Sequence, residues 1–476
     1  MLLLLILIPL IGAAIAFATP WNRVRPWVLL PISLAHLGVA LWCLRHAMPT
    51  AYGWLVLDPP GKIVLLLLSV LTLICCVYSI GYLHYRQERS NRIFVTCLMS
   101  FLAMTTLVTC SHHLGLMWVA VEATTLSTAP LIYFNRTQRS IEATWKYLLV
   151  GSVGIAMALL GSFFVAYASL GKGGEPSLLF EQLLARASQL DHGWLQAGFV
   201  LLLVGYGTKM GLAPMHTWKP DAYGEAPGVV GALLAGGVTN CAFLALLRIY
   251  QVCQAAGQSQ YVSRLLILIG LLSMCVAAVF MVGQRDFKRM LAYSSVEHMG
   301  ILVLGVGVGG PAIFGSLLHM INNGMTKGVL FLSAGNIHRA YGNKTTDEVR
   351  GAMRHLPFSG TLFLLGFFAV TGSPPFGPFV SEFTILHGAF TQERFLVGAG
   401  FLLLLLIVFI GMGRTVLTVV QGRPLAGTRR TDYRDGFLTA APVLVSLGIV
   451  LLMGLHIPAP ISAMVHDAAR FLEAKP

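Results

Sequence analysis

Residues 201–228 read LLLVGYGTKMGLAPMHTWKPDAYGEAPG. An apolar run long enough to cross a membrane contains one lysine, Lys209, and is then broken by Gly211 and Pro214. Proline removes a backbone donor and interrupts a helix, and within a membrane such a break persists only where protein or a watery cavity satisfies the freed carbonyls. A second break, GSPPFGP at residues 372–378, comes just before Glu382. Two interrupted spans in corresponding places are typical of the ion site of a transporter.

The rest of the 476-residue chain has the composition of a membrane protein. It is 56% hydrophobic and 11% charged, whereas about a quarter of the residues of a soluble domain are charged. The first apolar run, residues 1–18, lacks the basic start and cleavage site of a signal peptide, so we interpret it as a span. We predict an all-α integral membrane protein with about fourteen transmembrane helices, at residues 2–19, 27–44, 63–84, 93–110, 113–133, 144–170, 195–216, 226–247, 265–283, 293–309, 311–333, 358–390, 396–420 and 438–456.

The net charge of +13 follows a topological pattern. With the N-terminus outside, the inside loops carry 19 Lys and Arg and the outside segments carry 9. This bias fits the positive-inside rule, with both termini on the outer face, and it argues against a nucleic-acid partner. The inside set is Arg23, Arg25, Arg86, Arg89, Arg92, Arg136, Arg139, Lys219, Arg285, Lys288, Arg289, Arg339, Lys344, Arg350, Arg354, Arg423, Arg429, Arg430 and Arg434; the outside set is Arg45, Lys62, Lys172, Arg186, Arg248, Arg264, Arg394, Arg470 and Lys475.

The eight cysteines lie mostly in apolar runs and form no CxxC or Cys/His cluster. We therefore interpret them as packing residues and expect no Fe–S cluster, zinc site or disulfide framework. No phosphate-binding glycine loop is present, so nucleotide binding has no support. The sequence predicts no cofactor and no metal, and any electron transfer would belong to partner subunits.

Charged residues inside the predicted spans are the main candidates for function. A charge at bilayer depth is costly unless it is paired or hydrated. One interpretation is a set of structural ion pairs between helices; the other is a proton or ion relay, which needs such a series of titratable groups. Lys146 could also extend to the inner surface. The five positions are Glu122, Lys146, Lys209, Lys327 and Glu382.

The predicted eleventh span adds a polar stripe. His319, Asn323 and Lys327 are spaced by four residues and so lie on one helix face. A histidine can pass a proton on, an asparagine can order water, and a lysine can store a charge. A lone histidine would more often be a packing residue, but the stripe favours a relay.

The two breaks lie five spans apart, which suggests two five-helix repeats in spans 4–8 and 9–13. Because five is odd, the repeats would have inverted topology. We therefore divide the chain into an N-terminal three-helix segment (1–92), a first half-channel (93–250), a second, inverted half-channel (265–420), and a C-terminal helix and tail (421–476).

At this point the sequence resembles a known family, the antiporter-like, proton-conducting membrane subunits of respiratory complex I, Mrp cation/proton antiporters and membrane-bound [NiFe] hydrogenases. Four features carry the resemblance. They are the mid-helix Glu122; KMGLAPMHTWKPDAYGEAP, similar to K-x-P-x-x-P-x-H-x-W-L-P-D-A and including His216; RDFKRMLAYSSVEHMG, similar to D-x-K-K/R-x-L/I-A-Y-S-S; and GSPPFGPFVSEF, similar to G-x-P-P-x-x-G-F-x-S/K. The string AYSSVEHMG and the short C-terminus most resemble the hydrogenase-4 component F branch.

The resemblance implies roles for single residues. Glu122 and Lys209 would form the ion pair whose opening gates proton movement, and Glu382 would be the proton group on the exit side. His319 and Lys327 would belong to the polar axis that joins the half-channels. The chain departs from the family in the eighth span, where Asn240 stands in place of a frequent lysine. Water would then have to bridge Lys209 to His319 past Asn240, or the chain would conduct poorly.

The resemblance implies a proton-translocating subunit of a redox-driven complex in the cell inner (cytoplasmic) membrane, most similar to a group 4 [NiFe] hydrogenase or a formate hydrogenlyase-type assembly. Its partners would be other membrane subunits, namely antiporter-like and membrane-anchor chains, with soluble hydrogenase and Fe–S subunits reached indirectly. Two alternatives remain open: a subunit of a cation/proton antiporter, and an energy-coupling membrane subunit for inorganic-carbon uptake. Neighbouring genes would discriminate among the three.

Overall fold

The computed structural model describes residues 1–46, 53–171, 175–424 and 431–473, which are almost entirely helical, with isolated bridges as the only extended pairing among them. The α-helices are α1 Leu2–Ala18, α2 Leu29–Arg45, α3 Pro59–His84, α4 Arg92–Cys110, α5 Leu114–Ile132, α6 Gln138–Ala168, α7 Phe180–Ala185, α8 His192–Met210, α9 Trp218–Glu225, α10 Gly228–Leu233, α11 Thr239–Ala255, α12 Ser259–Met281, α13 Phe287–Val308, α14 Pro311–Tyr341, α15 Ala352–His355, α16 Pro357–Val370, α17 Gly377–Thr391, α18 Phe395–Gln421, α19 Phe437–Leu455 and α20 Ala459–Glu473.

The predicted all-α membrane fold is confirmed. Ten helical segments in the described part of the chain are long and apolar enough to cross a membrane. Each predicted span overlaps a helix or a pair of helices, although α6 begins at Gln138 rather than at 144 and α14 continues to Tyr341 rather than ending at 333. The number of crossings stays a prediction.

Both predicted helix breaks are present. After α8 ends at Met210, Gly211 adopts a left-handed φ of 75°, a conformation that glycine tolerates without steric cost, and α9 begins only at Trp218. After α16 ends at Val370, the chain is likewise irregular until α17. The inverted relation between the two halves, and the domain bounds that depend on it, stay predictions.

The connections predicted to share the inner face contact one another. Asn91 Nδ2, in the α3–α4 connection, donates to the carbonyl of Asn22, in the α1–α2 connection, at 2.7 Å. Asn135, after α5, donates to the Glu225 carbonyl at 3.1 Å, and Lys344 Nζ, after α14, lies 2.6 Å from Glu225 Oε1. One face of the bundle thus gathers the connections that the charge pattern assigns to the cytoplasm.

The remaining connections meet in the same way. Leu55 pairs with Ser111 in an isolated bridge between the α2–α3 and α4–α5 connections. Arg394, between α17 and α18, donates to Ser263 Oγ at 3.1 Å near the start of α12. This alternation of connections is what the predicted topology requires.

Four basic residues that the sequence analysis counted as loop charges are instead buried. Arg25, Lys219, Arg248 and Lys288 are each at most 1% exposed. A hydropathy pattern assigns a polar residue at the end of a span to the next loop. In the structure the chain folds back at these positions or the helix continues through them, so packing buries the side chains. When these four residues are left out of the count, the predicted inside segments still carry more basic residues than the predicted outside segments. The counted residues Lys172, Arg429, Arg430 and Lys475 lie outside the described residues.

Arg248 connects three segments at the end of the bundle where α3 begins and α4 ends. Its Nε and Nη2 donate to the two carboxylate oxygens of Asp58 at 2.9 Å each. Its guanidinium also donates to the carbonyls of Val108, Thr109 and Ser111 at 2.7–3.0 Å. Although burial opposes ionisation, the Arg248 guanidinium holds the pKa of the Asp58 carboxyl well below its usual range. The pair fixes the start of α3 and the end of α4 to α11.

The residues after α19, which the sequence analysis described as a tail, form the amphipathic helix α20. Its apolar face, with Val465, Ala468 and Leu472, is buried against α3, α11 and α14. Gln251 on α11 donates to the Phe471 carbonyl at 2.9 Å. The helix therefore covers parts of α3, α11 and α14.

Candidate functional site

The predicted ion pair between α5 and α8 is present. Lys209 Nζ lies 3.4 Å from Glu122 Oε2; the lysine side chain is fully buried, and the glutamate side chain is 22% exposed. Lys209 also donates to Thr125 Oγ1, whose hydroxyl donates to Glu122 Oε2 at 3.3 Å. The lysine therefore contacts its counter-charge both directly and through a hydroxyl.

Helix α6 supplies the space around this ammonium group. A Cβ on Gly151 would lie 2.7 Å from Lys209 Nζ, so a larger residue there would displace the ammonium group. The Tyr147 ring centroid lies 5.5 Å from Nζ, within the range of a cation–π contact. Ser152 donates to the other Glu122 oxygen at 3.1 Å. These contacts hold the pair in a defined place beside the break after α8.

The predicted stripe on α14 faces α13. Lys327 Nζ donates to Ser294 Oγ at 2.6 Å, and His319 Nε2 lies 2.9 Å from His298 Nδ1. Between them, Asn323 is fully buried, and neither amide atom has a partner among the described residues. Buried amides are rarely left unpaired, so Asn323 marks a position suited to an ordered water.

The stripe continues to the second break. His319 Nδ1 lies 2.9 Å from Ser381 Oγ on α17, and the next residue is Glu382. Glu382 is 6% exposed, and its Oε1 has no partner within the described part of the chain. One nitrogen each from His298 and His319 and a Glu382 oxygen lie within 4.8 Å of one another. The structure therefore brings together the predicted pair His319 and Glu382 and adds His298.

Three such ligand atoms could in principle hold a metal ion, but their present contacts favour proton transfer. Both His319 nitrogens are already engaged, one by His298 and one by Ser381. A cation would have to displace one of these hydrogen bonds. A neutral imidazole that donates through one nitrogen and accepts through the other can pass a proton along the row.

Lys146 lies apart from this row. Its side chain is 47% exposed and forms ion pairs with Glu142 at 2.6 Å and Asp221 at 2.9 Å. Exposed pairs of this kind contribute little to stability. The structure thus places the Lys146 side chain at the protein surface near the start of α6. This position is compatible with the expectation that the side chain extends out of the span.

The other secondary candidates are buried. The His216 ring packs against Tyr293, with 6.3 Å between the ring centroids. Asn240 donates to the Gly236 carbonyl at 2.9 Å, and its Oδ1 has no partner among the described residues. A Cβ on Gly324 would lie 3.4 Å from Asn240 Nδ2, so Asn240 packs against α14 at the residue after Asn323. A π-helical turn, residues 234–238, precedes Asn240, as is common near functional residues.

Sequence reasoning missed three buried groups at this site. Glu297 and His298 are at most 2% exposed within the predicted tenth span, and the same cost of burying charge should have identified them. Lys219 is fully buried on α9. Its signal was the departure from the W-L-P-D-A pattern, in which this chain has lysine where the pattern has leucine.

Comparison with known proteins identifies the family of the chain. Residues 111–412, more than half of the chain, match the family described as NADH:quinone oxidoreductase/Mrp antiporter, transmembrane. A relative described as a hydrogenase-4 component F homolog, from Methylacidiphilum infernorum, is 32% identical over 465 residues, which cover 95% of this chain and 96% of the relative.

Solved structures share the fold. A chain of the membrane-bound sulfane sulfur reductase, an archaeal respiratory membrane complex, superposes with a TM-score of 0.88 at 21% identity, covering 99% of this chain and 97% of that one. A chain of the Mrp complex from Dietzia sp. gives a TM-score of 0.87 at 19% identity, again covering 99% and 97%. The resemblance predicted from the motifs is confirmed, and the chain belongs to the NADH:quinone oxidoreductase/Mrp antiporter transmembrane family.

Proposed function

We propose that the chain is a proton-translocating subunit of a multi-subunit, redox-driven membrane complex of the group 4 [NiFe] hydrogenase or formate hydrogenlyase type. The observation that carries the proposal is the pair of Glu122 with the buried Lys209, at 3.4 Å, beside a helix break. The relative described as a hydrogenase-4 component F homolog supports the choice of complex.

The pair would act as a gate. While Glu122 lies beside it, the Lys209 ammonium is stabilised in a buried place; when Glu122 moves away, an unpaired buried charge is costly and the lysine releases its proton. The proton would then move toward Lys327, His319 and Glu382. A charge or conformational change in a neighbouring subunit would supply the movement.

The family supports other membrane subunits as partners. Soluble hydrogenase and Fe–S subunits, which carry the electrons, would act through those membrane chains. No step in this scheme requires a cofactor in this chain, because each transfer uses side-chain nitrogens and oxygens.

A first prediction concerns Glu122→Gln. This change keeps the shape of the side chain but removes the negative charge from Lys209. We expect proton uptake by vesicles containing the whole complex, with its driving redox reaction supplied, to fall by about tenfold or more. Uptake should be followed with an internal pH dye, and assembly by the amount of purified complex.

The matched control is Glu142→Gln, which removes an exposed carboxylate from the neighbouring helix α6. It should leave proton uptake within about twofold of the wild type, because exposed pairs contribute little. Proton uptake by Glu122→Gln at the wild-type rate would contradict the gating role. Sodium counter-transport without any redox reaction would instead indicate a cation/proton antiporter.

A second prediction concerns topology. The connections after α3 and after α14 share one face, because Arg86 donates to Asn135, Asn135 donates to the Glu225 carbonyl, and Lys344 pairs with the same glutamate. The bias in basic residues would assign that face to the cytoplasm, with both termini outside. A reporter fused at Lys344 should therefore give a cytoplasmic signal, and one at Arg264 an external signal. The reverse pair of signals would refute this orientation.

A further inference from the structure

The position of Lys219 next to the break after α8 is fixed by a neighbouring contact. Trp218 Nε1 donates to the Thr208 carbonyl at 2.8 Å, which ties the start of α9 to the end of α8. A Cβ on Gly211 would lie 3.0 Å from Lys219 Nζ. The ammonium group of Lys219 therefore lies over a residue only two positions from Lys209.

On its other side, Lys219 reaches the helix that carries the partner of Lys327. Lys219 Nζ donates to Ser295 Oγ at 3.0 Å, and Lys327 Nζ donates to Ser294 Oγ at 2.6 Å. All four residues are fully buried. Two amines from different helices thus end on consecutive hydroxyls of α13.

Only Lys209 among these three buried lysines has a carboxylate partner. In the described part of the chain, no carboxylate oxygen lies within 4 Å of Nζ of Lys219 or Lys327, whereas Glu122 lies 3.4 Å from Lys209. A buried ammonium without a counter-charge is unfavourable, so such a lysine is suited to gain and lose a proton rather than to anchor a helix.

The structural alternative is that Lys219 only tethers α9 to α13. A tether needs a donor but not a buried amine, and a neutral hydroxyl or amide would form the same bond to Ser295 without the desolvation of a charge. Asn240, by contrast, has no titratable group, although it packs against α14 at Gly324.

We propose that Lys219 is the protonatable group that links Lys209 to Lys327. Asn240 cannot fill this role, because its amide does not titrate. The step forms one N–H bond on the receiving amine and breaks one on the donating amine, so a proton moves and no oxidant or reductant is needed. The Ser295 hydroxyl accepts a hydrogen bond from Lys219 and the Ser294 hydroxyl accepts one from Lys327, so each amine has an acceptor on α13. This inference rests on the proposed function.

Lys219→Leu tests it with a residue that the W-L-P-D-A pattern carries at this position, and Lys219→Arg keeps the charge but does not release a proton. In vesicles containing the whole complex with its redox reaction supplied, both should lower proton uptake per redox turnover by about tenfold. Ser295→Ala, which removes only the acceptor, should lower it by about threefold. Lys62→Leu, a lysine at the outer start of α3, is the control and should pump as the wild type.

The outcomes separate the two proposals. If Lys209→Ala pumps normally, the proposed function itself fails. If Lys209→Ala is inactive but Lys219→Leu or Lys219→Arg pumps at the wild-type rate, only the role of Lys219 is overturned. If Lys219→Leu does not assemble, Lys219→Arg decides: wild-type pumping refutes the relay, and loss of pumping in an assembled complex supports it.

Discussion

Lys209→Arg is expected to abolish proton pumping while the complex still assembles. Arginine keeps the positive charge beside Glu122 and so preserves the ion pair, but a guanidinium stays protonated at any working pH. Because a relay must release the proton that it binds, uptake should fall by about a hundredfold, within the range for loss of a proton-transfer group. The measurement is proton uptake into vesicles with the redox reaction running, together with the redox turnover of the same preparation.

Lys209→Ala and Thr125→Val complete the series. The alanine variant removes both charge and proton and should be equally inactive. The valine variant removes one hydroxyl that contacts both partners of the pair, so a loss of a few fold is expected. If the arginine variant pumps at the wild-type rate, Lys209 only anchors α8 to α5, and the gate is refuted.

The sequence was sufficient to identify Lys209 and the helix break beside it, because these signals are local. Lys209 stands out as a single charge in an apolar run, and Gly211 and Pro214 mark the break after it. On α14, spacing by four residues placed His319 and Lys327 on one face, and the structure confirms that both face α13. Helix periodicity and the cost of buried charge suffice for such predictions.

The groups that the sequence did not identify depend on how the chain folds back. Lys219 follows the break formed by Gly211 and Pro214, so it looked like a loop charge. In the structure, however, the neighbouring Trp218 ties the start of α9 to the end of α8. Arg248 lay at the end of a predicted span and found its partner 190 positions earlier, in Asp58. Contacts between distant segments leave no periodic signal, and only the three-dimensional packing reveals them.

The Asp58–Arg248 pair should have the largest effect on stability. Removing one member of a buried pair leaves the other charge without compensation, which costs about 3–5 kcal/mol. Arg248→Met removes the guanidinium that donates to the Asp58 carboxylate and to the carbonyls at the end of α4, although the Gly61 amide still donates to the carboxylate. Because the pKa of Asp58 is depressed in the folded protein, the contribution of the pair is fully present above a pH of about 4 and is lost only in stronger acid.

We therefore expect Arg248→Met to reduce severely the amount of folded subunit at neutral pH and to lower its Tm in detergent. The double variant Asp58→Asn with Arg248→Met removes both charges and should recover part of that loss, because a neutral amide is less costly to bury than a carboxylate. Arg264→Met, at an exposed position on α12, should have a Tm close to that of the wild type. Equal Tm values for Arg248→Met and Arg264→Met would show that the buried pair contributes no more than a surface charge, and a double variant less stable than Arg248→Met would show that the unpaired carboxylate is not what destabilises the single variant.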